Sequence, residues 1–206
     1  GYTVNGTSPG PEIRARVGQL VEVHLVNVSV AAGVTLHWHG MEVPNAMDGV
    51  AGVTQDSVPP GGEFTYRFIP ARAGTFWYHP HPHHLTGEQV YRGLAGLLLV
   101  HGEDGSLPSG PRDLAFVLQD RTLGADGQLR YVTSNHDRMA GFVGDTLVAN
   151  GVAGMTVTVE RGPYRLRFLN GANARTQSLT WSTGDDLVVV ATDGSLLAEP
   201  ARVGSL

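Results

Sequence analysis

The chain has 206 residues, 41% hydrophobic and 16% charged, with a net charge of -5 and no cysteine. That balance gives no bulk basic face for nucleic acid, too much apolar content for a wholly disordered chain, and no disulfide, thiolate catalyst or cysteine-held metal. No apolar run approaches the ~18 residues of a membrane span, so no membrane partner is expected.

Taken in chain order, short β-rich runs are punctuated by 28 glycines and 12 prolines, the pattern of a β-sandwich or barrel. "QLVEVHLVN" (19–27) alternates, with Val21, Val23 and Leu25 on one face and Glu22 and His24 on the other. His24 is therefore read as exposed. "PPGGE" (59–63) is a turn by composition. "EFTYRFI", "GTFWYH" and "GLLLVHG" read as further strands. Between the last two, "LTGEQVYRGLAG" has some helical character, with Thr86 and Gln89 spaced as in a capping box. A polar stretch rich in Gly, Ser and Pro, "HGEDGSLPSGPRD" (101–113), reads as a linker. Strand signals resume in "LAFVLQD", "MTVTVE", "YRLRFLN", "SLTWS" and "DLVVVATD". In "YRLRFLN", Tyr164, Leu166 and Phe168 alternate against Arg165, Arg167 and Leu169. The expected fold is all-β: two consecutive sandwiches, a first domain at 1–103, a linker at 104–112 and a second domain at 113–206. The second is expected to be incomplete.

Six of the nine histidines fall in two short stretches, "LHWHG" (36–40) and "TFWYHPHPHH" (75–84). Strand side chains alternate faces, so His-x-His puts both imidazoles on one side, their roots roughly 6.5 Å apart. Such a pair can serve one metal or two neighbouring ones. Two doublets on adjacent strands offer four imidazoles, too many for one open tetrahedral site but suited to a metal cluster. A lone histidine is more often structural. Two doublets, each beside Trp, favour a metal, because buried neutral imidazoles need partners. Imidazole suits copper, zinc, iron and nickel, and the spacing does not choose among them. His83 would continue the same-side series, but Pro80 and Pro82 break a regular ladder. His84 points elsewhere in an extended segment. His101 at a strand end and His136 in a polar loop read as solvated.

On these residues the sequence resembles the multicopper oxidases, the laccase family. "TLHWHG" and "GTFWYHPHPH" look like that family's first two copper-binding motifs. "NGTSPGPEIRARVGQLVEVHLVN", "DGVAGVTQDSVPPGGEFTYRF" and "YRGLAGLLLV" resemble its first domain, "GDTLVANG" and "YRLRFLNGANAR" its second. The resemblance implies cupredoxin-like Greek-key sandwiches and a trinuclear copper cluster. His37 would ligate its single copper, His39 and His79 one copper of the coupled pair, and His81 the other. Asp48 matches the acidic residue that delivers protons during dioxygen reduction, and is expected near the cluster, linked through water. By composition alone Asp48 is a turn residue in "AMDGV".

The departures matter equally. The family's remaining cluster histidines lie in a C-terminal cupredoxin domain, in motifs that this sequence lacks. The blue copper that takes electrons from substrate needs a Cys thiolate. The reading is thus a copper oxidoreductase portion that needs a C-terminal cupredoxin domain as partner, with dioxygen and a small reducing substrate (a phenol, amine or metal ion). By itself the chain is expected to be inactive. Resemblance places it in the periplasm or among secreted proteins, although no leader is visible. The alternatives are a mononuclear zinc hydratase, in which a second doublet has no role, and a non-catalytic copper-binding protein. Cell-division relatives share the oxidase fold without its ligands, and four retained histidines argue against that reading.

Overall fold

The computed structural model describes residues 1–102, 107–132 and 134–206. The linker expected at 104–112 lies partly outside them, and residues 110–112 form a single 3-10 turn.

The first part of the chain contains β1 (Ile13–Arg16), β2 (Val21–Val26), β3 (His37–His39), β4 (Glu63–Phe68), β5 (Gly74–His79), a short helix α1 (Thr86–Tyr91) and β6 (Gly96–His101). One sheet has the order β1-β6-β5-β3 and the other pairs β2 with β4. Alternation sets the inward faces. Val21 is buried and Val23 and Leu25 are half-buried, while Glu22 and His24 are exposed, as expected. The core between the sheets holds Trp38, Tyr66, Phe68, Phe76, Tyr78, Leu98 and Val100. Its tyrosines keep partners: the Leu36 N–H donates to the Tyr66 hydroxyl at 2.8 Å, and the Tyr78 hydroxyl donates to the Pro11 carbonyl at 2.8 Å.

β6 reads as an unbroken apolar run because both its faces are covered. Leu98 and Val100 point into the sandwich, whereas Leu97 and Leu99 pack on Val117 from the later part of the chain. That part comprises β7 (Asp113–Arg121), α2 (Asn135–Ala140), β8 (Thr146–Ala149), β9 (Val152–Ala153), β10 (Arg165–Asn170), β11 (Leu187–Thr192) and β12 (Ser195–Val203). It forms a sheet of order β10-β7-β8-β9 and a separate β11-β12 hairpin.

Four local expectations are corrected. "MTVTVE" and "SLTWS" form no strand; their apolar residues Val157, Val159 and Trp181 are exposed, so no packed sheet face holds them extended. In β10 the alternation holds, and it is the arginine face that is buried. Arg165 and Arg167 are buried and Phe168 is exposed. Arg167 grips the Asp113 carboxylate with two bonds of 2.7 and 2.8 Å and donates to Thr75 Oγ1 at 2.6 Å, so this charged face is turned toward the first sandwich. The α1 helix exists, but Thr86 does not cap it. The N-cap is Leu85, and Thr86 donates to the Pro82 carbonyl instead. The capping box is at α2, where Ser134 Oγ accepts from the Asp137 N–H and the Asp137 carboxylate from the Ser134 N–H. That helix carries His136, expected in a loop. No helix among the described residues is long and apolar enough to cross a membrane.

Candidate metal centre

β3 and β5 are antiparallel neighbours, with His37 opposite His79, Trp38 opposite Tyr78 and His39 opposite Trp77. Trp38 and Tyr78 fill the core, so the period of two turns His37, His39, Trp77 and His79 to the other face of the sheet. His81 lies beyond the strand end, past Pro80. Its backbone N–H donates to Oγ1 of the fully buried Thr35 at 3.1 Å, and its carbonyl accepts from the Ala51 N–H at 3.2 Å. These anchors bring it back to the others. Ring centroids of His37 lie 5.8, 5.3 and 5.5 Å from those of His39, His79 and His81. His79 is 5.4 Å from His39 and 6.0 Å from His81. Candidate ligand atoms of His37, His39 and His79 all fall within 4.8 Å of one another.

The hydrogen bonds orient the rings. His37 Nδ1 faces the Asp48 carbonyl at 2.8 Å, and His79 Nδ1 the Pro80 carbonyl at 2.9 Å. A carbonyl only accepts, so both Nδ1 atoms carry the proton and both Nε2 lone pairs stay available to a cation. His39 Nδ1 and His79 Nε2 are 3.2 Å apart. Burial is the main reason that the His79 pKa falls to about 4; the neighbouring histidines push the same way and the Pro80 carbonyl opposes them. The His39 pKa is also lowered, by burial first and then by His37, while the Asp193 charge raises it. Neutral imidazole is the metal-binding form, and the lowered pKa values of His39 and His79 favour that form. The Trp77 ring lies over His39 at 4.9 Å and His79 at 4.2 Å and walls one side.

Four of the five expected site residues converge as rings, and the fifth, Asp48, lies beside His37. Its carbonyl takes the hydrogen bond, and its Oδ1 lies 3.4 Å from His37 Nδ1. The turn role is also real: Asp48 closes a 3-10 turn at Asn45–Met47. The rings of His83 and His84 meet edge-on, their centroids 3.8 Å apart, exposed to solvent. His24 bonds Thr65 on the exposed face of its strand. His101, expected to be solvated, is half-buried, with Nε2 3.2 Å from an Arg14 guanidinium nitrogen. The sequence reading missed Trp77, Thr35 and Asp193. Trp77 was legible as the same-face neighbour of His79. No local signal places Thr35 or Asp193 at the site.

Comparison with known proteins fits this geometry. The family model for multicopper oxidases matches residues 1–105. A multicopper oxidase of Staphylococcus aureus is 36% identical over 203 residues, 97% of this chain and 44% of the relative. The cell division protein FtsP of Escherichia coli is also 36% identical, over 100% of this chain and 43% of its own length. A solved laccase-like multicopper oxidase from Ochrobactrum sp., described as oxidising lignin model compounds and lignosulfonate, superimposes with a TM-score of 0.91 at 34% identity. That match covers 99% of this chain and 46% of the other. The chain thus spans less than half the length of these relatives.

Proposed function

The chain belongs to the multicopper oxidase family, and from that premise we propose that His37, His39, His79 and His81 supply half of the ligands of a trinuclear copper cluster that reduces dioxygen to water. The observation carrying this reading is the convergence of four imidazoles on one sheet face, with Nδ1 of His37 and His79 already tied to carbonyls. His39 and His79 would share one copper, in keeping with their 3.2 Å approach. His37 would hold the single copper and His81 the other of the pair. Copper held by these residues would supply the redox chemistry for reducing dioxygen to two waters with four electrons, taken one at a time from the reducing substrate, and four protons. The donors would be phenols, amines or low-valent metal ions.

Asp48 is the proton carrier in this reading. Its side chain is 32% exposed, so it can exchange protons with water, and its Oδ1 is 3.4 Å from His37. In the complete enzyme, Asp48→Asn is expected to slow reoxidation of the reduced protein at nearly normal copper content, because proton supply is lost and ligands are not. An unchanged rate returns Asp48 to its turn role.

Four ligands are too few for three coppers, since each site that keeps an open position takes about three protein donors by analogy with catalytic zinc. The chain also has no thiolate for a blue copper. We therefore assign the remaining donors to a C-terminal cupredoxin domain, with 1–103 and 113–206 as the first two domains and 104–112 between them. Location in the periplasm or outside the cell rests on the resemblance alone. Identity does not separate oxidase from cell-division relatives, both at 36%. What favours the oxidase reading is the clustering of the four histidines, with Nδ1 of His37 and His79 already tied to carbonyls.

The test is competitive titration of the metal-free protein with copper and zinc, with electron paramagnetic resonance on the copper-loaded form. Copper should win and show nitrogen hyperfine structure, and His37→Ala with His79→Ala should abolish it. Preferential zinc uptake with bicarbonate-forming activity would instead support the hydratase.

A further inference from the structure

Arg72 precedes β5 and joins three pieces of chain. Its Nε donates to both carboxylate oxygens of Glu42 at 3.1 Å. One Nη donates to the carbonyl of Gly40, the residue after His39. The other donates to Ser195 Oγ at 2.7 Å and to the Gly194 carbonyl at 3.4 Å, both in the β11-β12 turn. The guanidinium also lies 4.7 Å over the Phe76 ring.

The turn is seated tightly. A Cβ on Gly74 would collide with the Gly194 carbonyl, and a Cβ on Gly194 would press on Phe76. Gly40 sits against the same Phe76 ring. The residues before these two glycines are His39, exposed at the edge of the histidine cluster, and Asp193, at positive φ in the turn. The turn therefore brings Asp193, from the later part of the chain, up against the segment that follows His39.

We propose that Arg72 is a positioning residue of the cluster: it locks the β11-β12 turn onto the segment following His39 and so holds the Asp193 carboxylate beside the site, where it adds negative charge for a bound cation. This rests on the cluster being a copper site. The plain alternative is that Asp193 serves only the turn, since Asp-Gly is a favoured two-residue hairpin loop. Asn-Gly serves that turn equally well, so Asp193→Asn removes the charge and keeps the hairpin.

Two measurements on the full chain test it. The first is copper affinity by competition with a chromophoric chelator. Asp193→Asn should weaken binding roughly fivefold, the size expected of one exposed unit charge near the site. Arg72→Ala removes a cation, so simple electrostatics predicts tighter binding. The latch predicts weaker binding, and no further weakening when Arg72→Ala is added to Asp193→Asn. The second is amide hydrogen exchange in the metal-free protein, where Arg72→Ala, or Ser195→Ala if that variant does not fold, should speed exchange at residues 192–195. Wild-type affinity in Asp193→Asn, tighter binding in Arg72→Ala or unchanged exchange would overturn the proposal. If the wild-type protein takes up no copper, the functional reading fails, and exchange alone then decides for or against the latch.

Discussion

His79 is the most buried of the four cluster histidines, and its burial has a pH consequence. Its pKa is lowered to about 4 by desolvation, against an ordinary 6.5. Between these values the unfolded chain binds a proton that the folded chain does not, so folding weakens as pH falls through this window. The slope for one such proton is at most about 1.4 kcal/mol per pH unit. Urea unfolding of the metal-free protein should show a steady loss from pH 6.5 to 4.5, reduced in His79→Gln. A flat profile in the unaltered protein would contradict the burial argument. At this scale the site was largely legible. Two His-x-His doublets beside Trp need no tertiary information to be recognised. Thr35 was not legible, because it reaches His81 only through a loop return, and neither was the Arg167–Asp113 pair, whose members are far apart in sequence and meet across adjacent strands.

The β3–β5 pair sets the register of the histidines, and the loop after β3 sets Asp48. Gly49 is the strict position in that loop. It has φ of 75°, and a Cβ there would collide with the Leu36 carbonyl. Gly52 has φ of 77° but nothing within 4 Å. Gly52→Ala should therefore cost about 1 kcal/mol of left-handed strain alone. Gly49→Ala should cost more than about 2 kcal/mol and loosen copper, because the Asp48 carbonyl that orients His37 must move. Chemical unfolding of both variants checks the ordering, and equal losses would refute it. Strands with one covered face, such as β2, were readable by alternation. "MTVTVE" alternates as well as β2 does, yet is not a strand. The difference lies in what covers it, which a local pattern does not contain.

Across the whole molecule, the two parts meet at a mixed apolar and charged contact. Leu97 and Leu99 pack on Val117, while Asp113 and Arg167 form an ion pair with side chains 2% and 3% exposed. Burial pushes the Asp113 carboxyl up, but the Arg167 hydrogen bonds and charge, with Arg165 and Arg14, hold it below the usual range. Arg167→Ala would strand that carboxylate and should cost about 3–5 kcal/mol; a loss below about 1 kcal/mol in urea unfolding would show that the pair is not buried in solution. This contact and the Arg72 contact fix the later part of the chain against the sandwich that bears the histidines. The all-β architecture was legible from strand spacing and turn residues. The contact was not, because it depends on two distant arginines facing inward. The central claim, that these four histidines hold copper, is tested most directly by anomalous diffraction at the copper edge from copper-soaked crystals. The account predicts copper peaks among His37, His39, His79 and His81, absent when His37 and His79 are replaced by alanine. Saturating copper that leaves this face empty, or binds only elsewhere, would contradict it.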